Sequence, residues 1–135
     1  AELLMMKIDS LSTSGTFFEN AFCWVLRDNG FINISTTPAT NDYGIDILAE
    51  KDGISYAIQC KCYSSPVGNK AVQEAYTGKD YYKKMIAVVA TNNTFTRSAI
   101  DTARATQVLL WDRQKVMEMI SRTSDEAIRA VLNEV

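Results

Sequence analysis

The residues best suited to chemistry lie on one predicted β-strand, ISYAIQCKCY at residues 54–63. Because strand side chains alternate, Gln59 and Lys61 share one face, and small or apolar side chains occupy the other. A lysine in an otherwise apolar strand is costly to bury unless it reaches water or a negative charge. This face is therefore either solvated or built to hold something anionic.

Asp46 is the nearest candidate for that negative charge. It lies in a second predicted strand, IDILAE at 45–50, and the KDG that follows at 51–53 is typical of a hairpin turn. A turn at this position sets Asp46 opposite residues 58–60, where a slip of one residue would reverse the face.

These groups would support metal-assisted hydrolysis of a phosphodiester bond. Oxygen atoms from Asp46, the Gln59 amide and the Cys60 carbonyl suit Mg²⁺ or Mn²⁺, and Lys61 would orient water and offset charge on the phosphate. Glu19, beside the apolar stripe of the first predicted helix, is a further candidate ligand. A solvated sheet edge carrying a lysine explains the same strand pattern, and spacing alone favours that simpler interpretation.

Composition narrows the classes of function. The 135 residues, 47% hydrophobic and 22% charged, predict one globular domain spanning 1–135. The chain has no histidine, which excludes Ser-His-Asp catalysis, histidine-ligated zinc and histidine-dependent nucleases. A net charge of −2 gives no support for whole-chain attraction to nucleic acid, so any basic surface must be local. We expect no membrane association and, from three cysteines without a disulfide pattern, a cytoplasmic location.

Hydrophobic periodicity predicts the order α-β-β-β-α-β-α-β-α-α, hence a mixed sheet with helices on both faces. The clearest helix covers 16–29, with apolar residues at helical spacing: Phe18, Ala21, Phe22, Val25 and Leu26. The remaining predicted segments are a strand at 31–35, a helix at 69–82 with Val72, Ala75 and Tyr76 inward, a buried strand at 85–91, a helix at 97–106 capped by Thr96, a buried strand at 108–111, a helix at 113–121 capped by Asp112, and a tail helix opened by a capping box from Thr123 to Glu126.

The sequence also resembles the Mrr-type restriction endonuclease domain, a branch of the PD-(D/E)xK nuclease superfamily. The resemblance rests on five blocks in the family's order: GTFFEN at 15–20, DYGID at 42–46, IQCK at 58–61, PVGNKAVQE at 66–74, and VVATNNTFTRSAIDTARATQVLLWD at 88–112. It implies an α/β fold with a restriction-endonuclease-like αβββαβ core, a mixed central sheet flanked by helices, and extra C-terminal helices.

The resemblance also implies roles for individual residues. Asp46 would bind the metal, Gln59 would occupy the motif's acidic position, Lys61 would be the catalytic lysine, and Glu19 would be the acidic residue contributed by the helix. A neutral Gln59 lowers the negative charge of the site by one, so we expect the metal to depend more on Glu19 and on DNA phosphate.

Accessory residues are expected around this set. The resemblance places Gln73 and Glu74 beside the site, whereas Asp42 belongs to a turn sequence and is a weaker accessory candidate. Contacts to DNA phosphate are expected from the start of the 69–82 helix and from its lysines: Gly68, Lys70 and Lys79. A plain helix N-cap and a solvated helix end are the simpler explanations of these last residues.

The predicted function is therefore a Mg²⁺-dependent (or Mn²⁺-dependent) DNA endonuclease acting in restriction of foreign DNA. Its specificity is expected to come from a separate DNA-recognition partner, from a homodimer, or from DNA structure. The alternatives are a Holliday-junction-resolvase-like or repair nuclease, a catalytically silent DNA-binding or assembly module, and a protein–protein adaptor.

Overall fold

The structure, a computed structural model, describes residues 1–11, 15–38 and 43–133. It has an α/β architecture around one five-stranded sheet. In chain order the elements are α1 (Glu2–Ser10), α2 (Gly15–Asp28), β1 (Ile32–Thr36), β2 (Ile47–Lys51), β3 (Ile54–Lys61), α3 (Asn69–Tyr81), β4 (Ile86–Thr91), α4 (Arg97–Thr106), β5 (Leu109–Trp111), α5 (Arg113–Ser121) and α6 (Asp125–Leu132). From α2 onward this order confirms the predicted one.

The sheet is mixed, as predicted, with the strands in the spatial order β1-β2-β3-β4-β5. Strands β1 to β3 form an antiparallel meander, whereas β3, β4 and β5 run parallel. The predicted hairpin closes at the pair Lys51–Ile54. Asp52 and Gly53 between them have φ angles of 52° and 78°, the left-handed conformation that a tight two-residue hairpin turn requires.

Helices cover both faces of the sheet. On one face α1, α2, α5 and α6 pack over Ile58 and Cys60 of β3, and on the other α3 and α4 pack over Ala57. The predicted alternation along β3 is therefore confirmed, and Gln59, only 2% exposed, lies on the α3 side with Lys61. Among the described residues, no helix combines the length and the apolar character needed to cross a bilayer.

Helix α1 was absent from the predicted order. Its buried residues Leu4, Met5 and Ile8 follow helical spacing, but the exposed Leu3 and Met6 blur the apolar stripe. The helix docks through this short apolar face on the same side of the sheet as α2.

Three details of the predicted elements were wrong. Tyr76 is exposed rather than inward, because the buried face of α3 passes through Ala75 and Gly78. The α6 N-cap is Ser124, whose hydroxyl accepts from Ala127 N, while the Thr123 hydroxyl donates to a carbonyl of α5. Strand β5 lies at the sheet edge, so its Leu109 is exposed rather than buried.

The local capping signals of α4 and α5 were read correctly. Thr96 accepts from Ala99 N and Asp112 from Lys115 N, as expected of residues that begin helices. The accessory candidate Asp42 lies outside the described residues.

Candidate active site

Asp46 lies immediately before β2 and is bonded to β3 through both its backbone and its side chain. Its N–H donates to the Ile58 carbonyl at 2.8 Å, and its Oδ2 accepts from the Cys60 N–H at 2.7 Å. The adjacent pair Ile47–Ile58 sets the register, so Asp46 lies opposite residues 58–60, as predicted. The carboxylate is thus held at the peptide that joins Gln59 to Cys60.

Two glycines allow the segment leading into Asp46 to lie directly on α3. A Cβ atom at Gly78 would be 2.2 Å from the Tyr43 carbonyl oxygen and 2.6 Å from the Ile45 side chain. A Cβ atom at Gly44, whose φ is +70°, would be 2.9 Å from Cβ of Glu74. Because only glycine fits at both positions, the approach of residues 43–46 to α3 is fixed by sequence.

Glu19 reaches Asp46 from α2. The two carboxyl groups share a hydrogen bond, and burial, the nearby negative charge of Asp46 and that hydrogen bond raise the pKa of Glu19 to about 7. We call Glu19 and Asp46 the carboxylate pair. Among the described residues, no lysine or arginine forms an ion pair with either carboxyl group, so this site gains from a cation.

The cysteines beside the carboxylate pair are poor nucleophiles. Burial, followed by the nearby charge of Glu19, raises the pKa of Cys23 to about 11. Burial and the charges of Asp46 and Glu19 also hold the pKa of Cys60 well above its usual range. Both thiols therefore stay protonated at neutral pH, which excludes thiolate chemistry at this position.

Gln59 and Lys61 form a second group with Glu74 of α3, which we call the lysine cluster. Lys61 Nζ lies 4.0 Å from Glu74 Oε1. One end of the Gln59 amide lies 2.6 Å from the Ala71 carbonyl oxygen and the other lies 3.2 Å from Lys61 Nζ. The amide nitrogen therefore faces Ala71 and the oxygen accepts from Lys61. The reverse orientation would give a weak 3.4 Å bond to Glu74 but would set two oxygen atoms 2.6 Å apart.

The two groups meet along β3. The Cys60 N–H donates to Asp46. The residues directly before and after Cys60 are Gln59 and Lys61, which belong to the lysine cluster. In the described part of the chain, no group of three or more His, Cys, Asp or Glu side chains forms a metal site. A cation bound here would therefore need amide, backbone, water or substrate oxygen atoms beyond the carboxylate pair.

The predicted accessory residues lie along α3. Gln73 donates to Asn69 Oδ1, which ties it to the start of the helix. Lys79 is paired with Asp80 at 3.1 Å and lies 4.6 Å from the centre of the Tyr76 ring. Lys70 is exposed and lines a groove with Glu74, while Gly68 is the N-cap of α3. Of the predicted accessory residues, Glu74 is the one that belongs to the lysine cluster, through its contact with Lys61.

Two tyrosines near the site were missed in the sequence. The ring of Tyr63 lies 5.8 Å from Lys61 Nζ, and Tyr43 lines a groove with Glu74. Tyr63 follows Lys61 by two residues. Because residues two apart in extended chain share a face, this spacing could have predicted that Tyr63 lies near Lys61.

Comparisons with known proteins agree on one fold. The family profile Mrr_cat, described as restriction endonuclease, matches residues 10–120. No curated protein sequence matches the chain significantly. Among solved structures, the DNA modification-dependent restriction endonuclease AspBHI is 18% identical with a TM-score of 0.70, and the alignment covers 99% of this chain and 40% of AspBHI.

Two further structures are similar. The MspJI restriction endonuclease, solved in complex with a 27-mer oligonucleotide, is 16% identical with a TM-score of 0.74, covering 96% of this chain and 34% of MspJI. A repair endonuclease from Pyrococcus abyssi is 16% identical with a TM-score of 0.54, covering 76% and 46%. The chain thus spans less than half the length of each of these three proteins, and at these identities they show the fold alone.

Proposed function

The chain belongs to the restriction endonuclease family of the Mrr type, and from that premise we propose that it is a metal-dependent endonuclease that hydrolyses phosphodiester bonds of DNA. The observation that carries the proposal is the meeting of the carboxylate pair and the lysine cluster along β3. This combination offers anionic oxygen atoms for a cation beside an ammonium group for a phosphate.

The residues present fit a divalent cation. The raised pKa of Glu19, caused by burial and by the charge of Asp46, marks a place short of positive charge. Asp46, Glu19, the Cys60 carbonyl and the second lone pair of Gln59 Oε1 would hold Mg²⁺ or Mn²⁺, because these cations prefer oxygen ligands. When bound, the cation supplies Lewis-acid activation and neutralises charge on the phosphate.

Lys61 is the residue that would act on the phosphate. Its ammonium donates to Gln59 Oε1 at 3.2 Å and lies 4.0 Å from Glu74 Oε1, and these two contacts orient it. An ammonium held in this way donates hydrogen bonds to the charge that develops during attack and orients the attacking water, without having to reorganise first. Gln59 and Glu74 act here as positioning residues.

We further propose a role in the restriction of foreign DNA, with residues 1–135 as the catalytic domain and DNA recognition supplied by a second copy or by a separate protein. A role in DNA repair is the second candidate, because a repair endonuclease shares the fold over 76% of this chain. Both roles require the same hydrolysis, so one experiment tests the activity common to them.

Nicking of supercoiled plasmid in Mg²⁺ and in Mn²⁺ tests the proposed activity. We expect the wild-type protein to nick DNA, and both Asp46→Asn and Lys61→Ala to reduce the rate at least about a hundredfold, since each removes a group that stabilises the transition state. Asp101→Asn, which alters an exposed carboxylate on α4 that pairs with Arg97, should retain the wild-type rate.

The outcomes separate the alternatives. Nicking that survives both site substitutions would assign the activity to a contaminant or to another site. DNA retardation without cutting in either metal would support a catalytically silent binding module instead, and the absence of both would support a protein–protein adaptor.

A further inference from the structure

The exposed aromatic residues of this chain are all tyrosines. Every phenylalanine, tyrosine and tryptophan lies within the described residues, and those with large exposure are Tyr43 (46%), Tyr63 (40%), Tyr76 (39%) and Tyr81 (54%). The phenylalanines and tryptophans are buried or half-buried. Tyrosine at such positions offers a flat apolar ring with a polar edge, the type of side chain favoured where a surface binds a partner.

These four residues, which we call the tyrosine surface, adjoin the candidate active site. The Tyr63 ring lies 5.8 Å from Lys61 Nζ. Tyr43 lines a groove of about 350 Å³ with Lys70 and Glu74, and Glu74 is paired with Lys61. Tyr76 and Tyr81 continue along α3 from that groove. Tyr63 therefore lies beside Lys61, Tyr43 lies beside its partner Glu74, and Tyr81 stacks on Tyr43.

Part of the tyrosine surface is already stacked and rigid. The rings of Tyr43 and Tyr81 are 3.6 Å apart and within 11° of parallel, and the Tyr82 ring meets Tyr81 edge-on at 5.0 Å. The close approach at Gly78 fixes the backbone of Tyr43 against α3. Since both stacked rings remain about half exposed, they present flat ring area to solvent without needing to reorganise.

The charge around the tyrosine surface has the sign that a nucleic acid requires. Residues 69–85 carry four lysines, at 70, 79, 83 and 84, against two acidic residues, Glu74 and Asp80, in a chain whose net charge is −2. This is a local basic surface on an acidic protein. Lysines interleaved with aromatic rings are the arrangement that binds a strand backbone while its bases stack.

We propose that the tyrosine surface binds unpaired nucleobases, so that the substrate class is DNA with a single-stranded or unpaired segment next to the cleaved phosphate. The proposal rests on the proposed function for placing DNA at Lys61. In a duplex each base has neighbours on both of its faces, so a tyrosine ring stacks only where a base is unpaired, extruded or terminal. The surface would thereby select DNA by its structure rather than by its sequence.

Binding measured in EDTA tests this without cleavage. Fluorescence anisotropy would compare one labelled sequence as a single strand, as a perfect duplex, and as a duplex with a bulge of unpaired bases. We expect wild-type protein to prefer both DNAs that contain unpaired bases. Tyr81→Ala should weaken their binding about tenfold, while duplex binding changes little. Tyr81→Phe, which keeps the ring, should bind as the wild type does.

Matched variants keep the result decisive. Tyr81→Leu retains apolar area for packing against Tyr43 but offers no π-face, so it should resemble Tyr81→Ala. Leu109→Ala removes an exposed apolar side chain on the edge strand β5 and should bind as the wild type does. Equal affinity of the wild type for single strand and duplex would overturn the proposal, as would an equal loss on all three DNAs in Tyr81→Leu.

Failure here is distinguishable from failure of the proposed function. If the protein nicks duplex plasmid with metal but shows no preference for unpaired bases, the tyrosine surface has no such role and the nuclease assignment stands. If it binds unpaired DNA through Tyr81 in EDTA yet cuts no DNA in Mg²⁺ or Mn²⁺, the tyrosine surface stands and the chain is a binding module.

Discussion

Two half-buried carboxyl groups of this chain, those of Asp9 and Glu19, have pKa values shifted in opposite directions. Asp9 of α1 is paired with Arg113 of α5 by two hydrogen bonds, of 2.9 and 3.0 Å, and also accepts from Asn92. Burial raises the pKa of Asp9, but the hydrogen bonds from Arg113 and Asn92 and the positive charge of Arg113 outweigh it, so the pKa lies below its usual value. Glu19, by contrast, faces Asp46, and its pKa rises to about 7 through burial and that second negative charge.

The difference separates a structural contact from the proposed cation site. Arg113 also donates to the Asn92 carbonyl, and the Asn92 side chain accepts from the Tyr63 N–H, so the Asp9 contact fastens α1 and α5 to the chain just beyond Lys61. In the part of the chain that the structure describes, no lysine or arginine pairs with either member of the carboxylate pair, whose repulsion costs folding free energy when no cation is present. A chain retains such a cost where a bound cation offsets it, as at a catalytic site.

Divalent metal should therefore stabilise the protein through the carboxylate pair and not through Asp9. At about 100 times its dissociation constant, Mg²⁺ or Mn²⁺ would add about 2.7 kcal/mol to the free energy of unfolding, because it binds the folded state. Urea unfolding with metal and with EDTA measures this gain.

Three variants test where the gain arises. Glu19→Gln and Asp46→Asn should each lose most of the stabilisation by metal, whereas Asp9→Asn should retain all of it despite a lower starting stability. Equal stabilisation by metal in all three variants would place the cation elsewhere. The contrast between Glu19 and Asp9 would then say nothing about function.

Gly78→Ala should disturb the carboxylate pair from a distance. Its Cβ would lie 2.2 Å from the Tyr43 carbonyl oxygen, so the segment leading to Asp46 must move or α3 must shift. We expect a loss of about 2 kcal/mol in the free energy of unfolding, typical of overpacking, and a weaker response to metal. Gly68→Ala, where an added Cβ would meet no other atom within 4 Å, serves as the matched control. If Gly78→Ala unfolds at the wild-type urea concentration and keeps its metal response, the close packing at α3 does not position Asp46.

The parts of the fold with local signals were predictable from sequence. Helices α4 and α5 match the predicted ranges because Thr96 and Asp112 are caps whose hydrogen bonds reach only three residues along the chain. Helix α1 was missed because its stability comes from packing against distant elements rather than from its own pattern. Periodicity placed Tyr76 inward, whereas the segment at residues 43–45 packs on α3 at Gly78, a contact that only the folded structure reveals, and Tyr76 is exposed.

The candidate site likewise combines features that local sequence predicts with features that depend on packing between distant elements. Alternation along β3 and the hairpin register depend on residues near in sequence, so the position of Asp46 opposite residues 58–60 followed from the chain alone. Glu19 and Glu74 were named through family resemblance, but their contacts with Asp46 and Lys61 depend on how two helices pack on opposite faces of the sheet. Charge relations of this kind have no local sequence signal, which is why the contrast with Asp9 emerged only from the structure.

The pH dependence of stability in EDTA should show the contrast as two effects of opposite sign. The pKa of Glu19 is raised from 4.5 to about 7, so its contribution to stability is fully present below pH 4.5 and is lost as the pH rises to 7. The pKa of Asp9 is lowered from 3.8, so its contribution is present above that pH and is lost as the pH falls further. After allowance for solvent screening, we expect about 1 kcal/mol for Glu19, and an effect of opposite sign for Asp9.

Each effect should disappear with its own carboxyl group. Urea unfolding between pH 3 and pH 8 should show a flatter decline above pH 4.5 in Glu19→Gln and a smaller loss at the acid end in Asp9→Asn, with neither variant changing the other window. If Glu19→Gln declined as steeply as the wild type above pH 4.5, the carboxylate pair would carry no repulsion in the metal-free protein. The physical reason for placing a cation beside Asp46 would then be lost, even if the Asp9 contact behaved as expected.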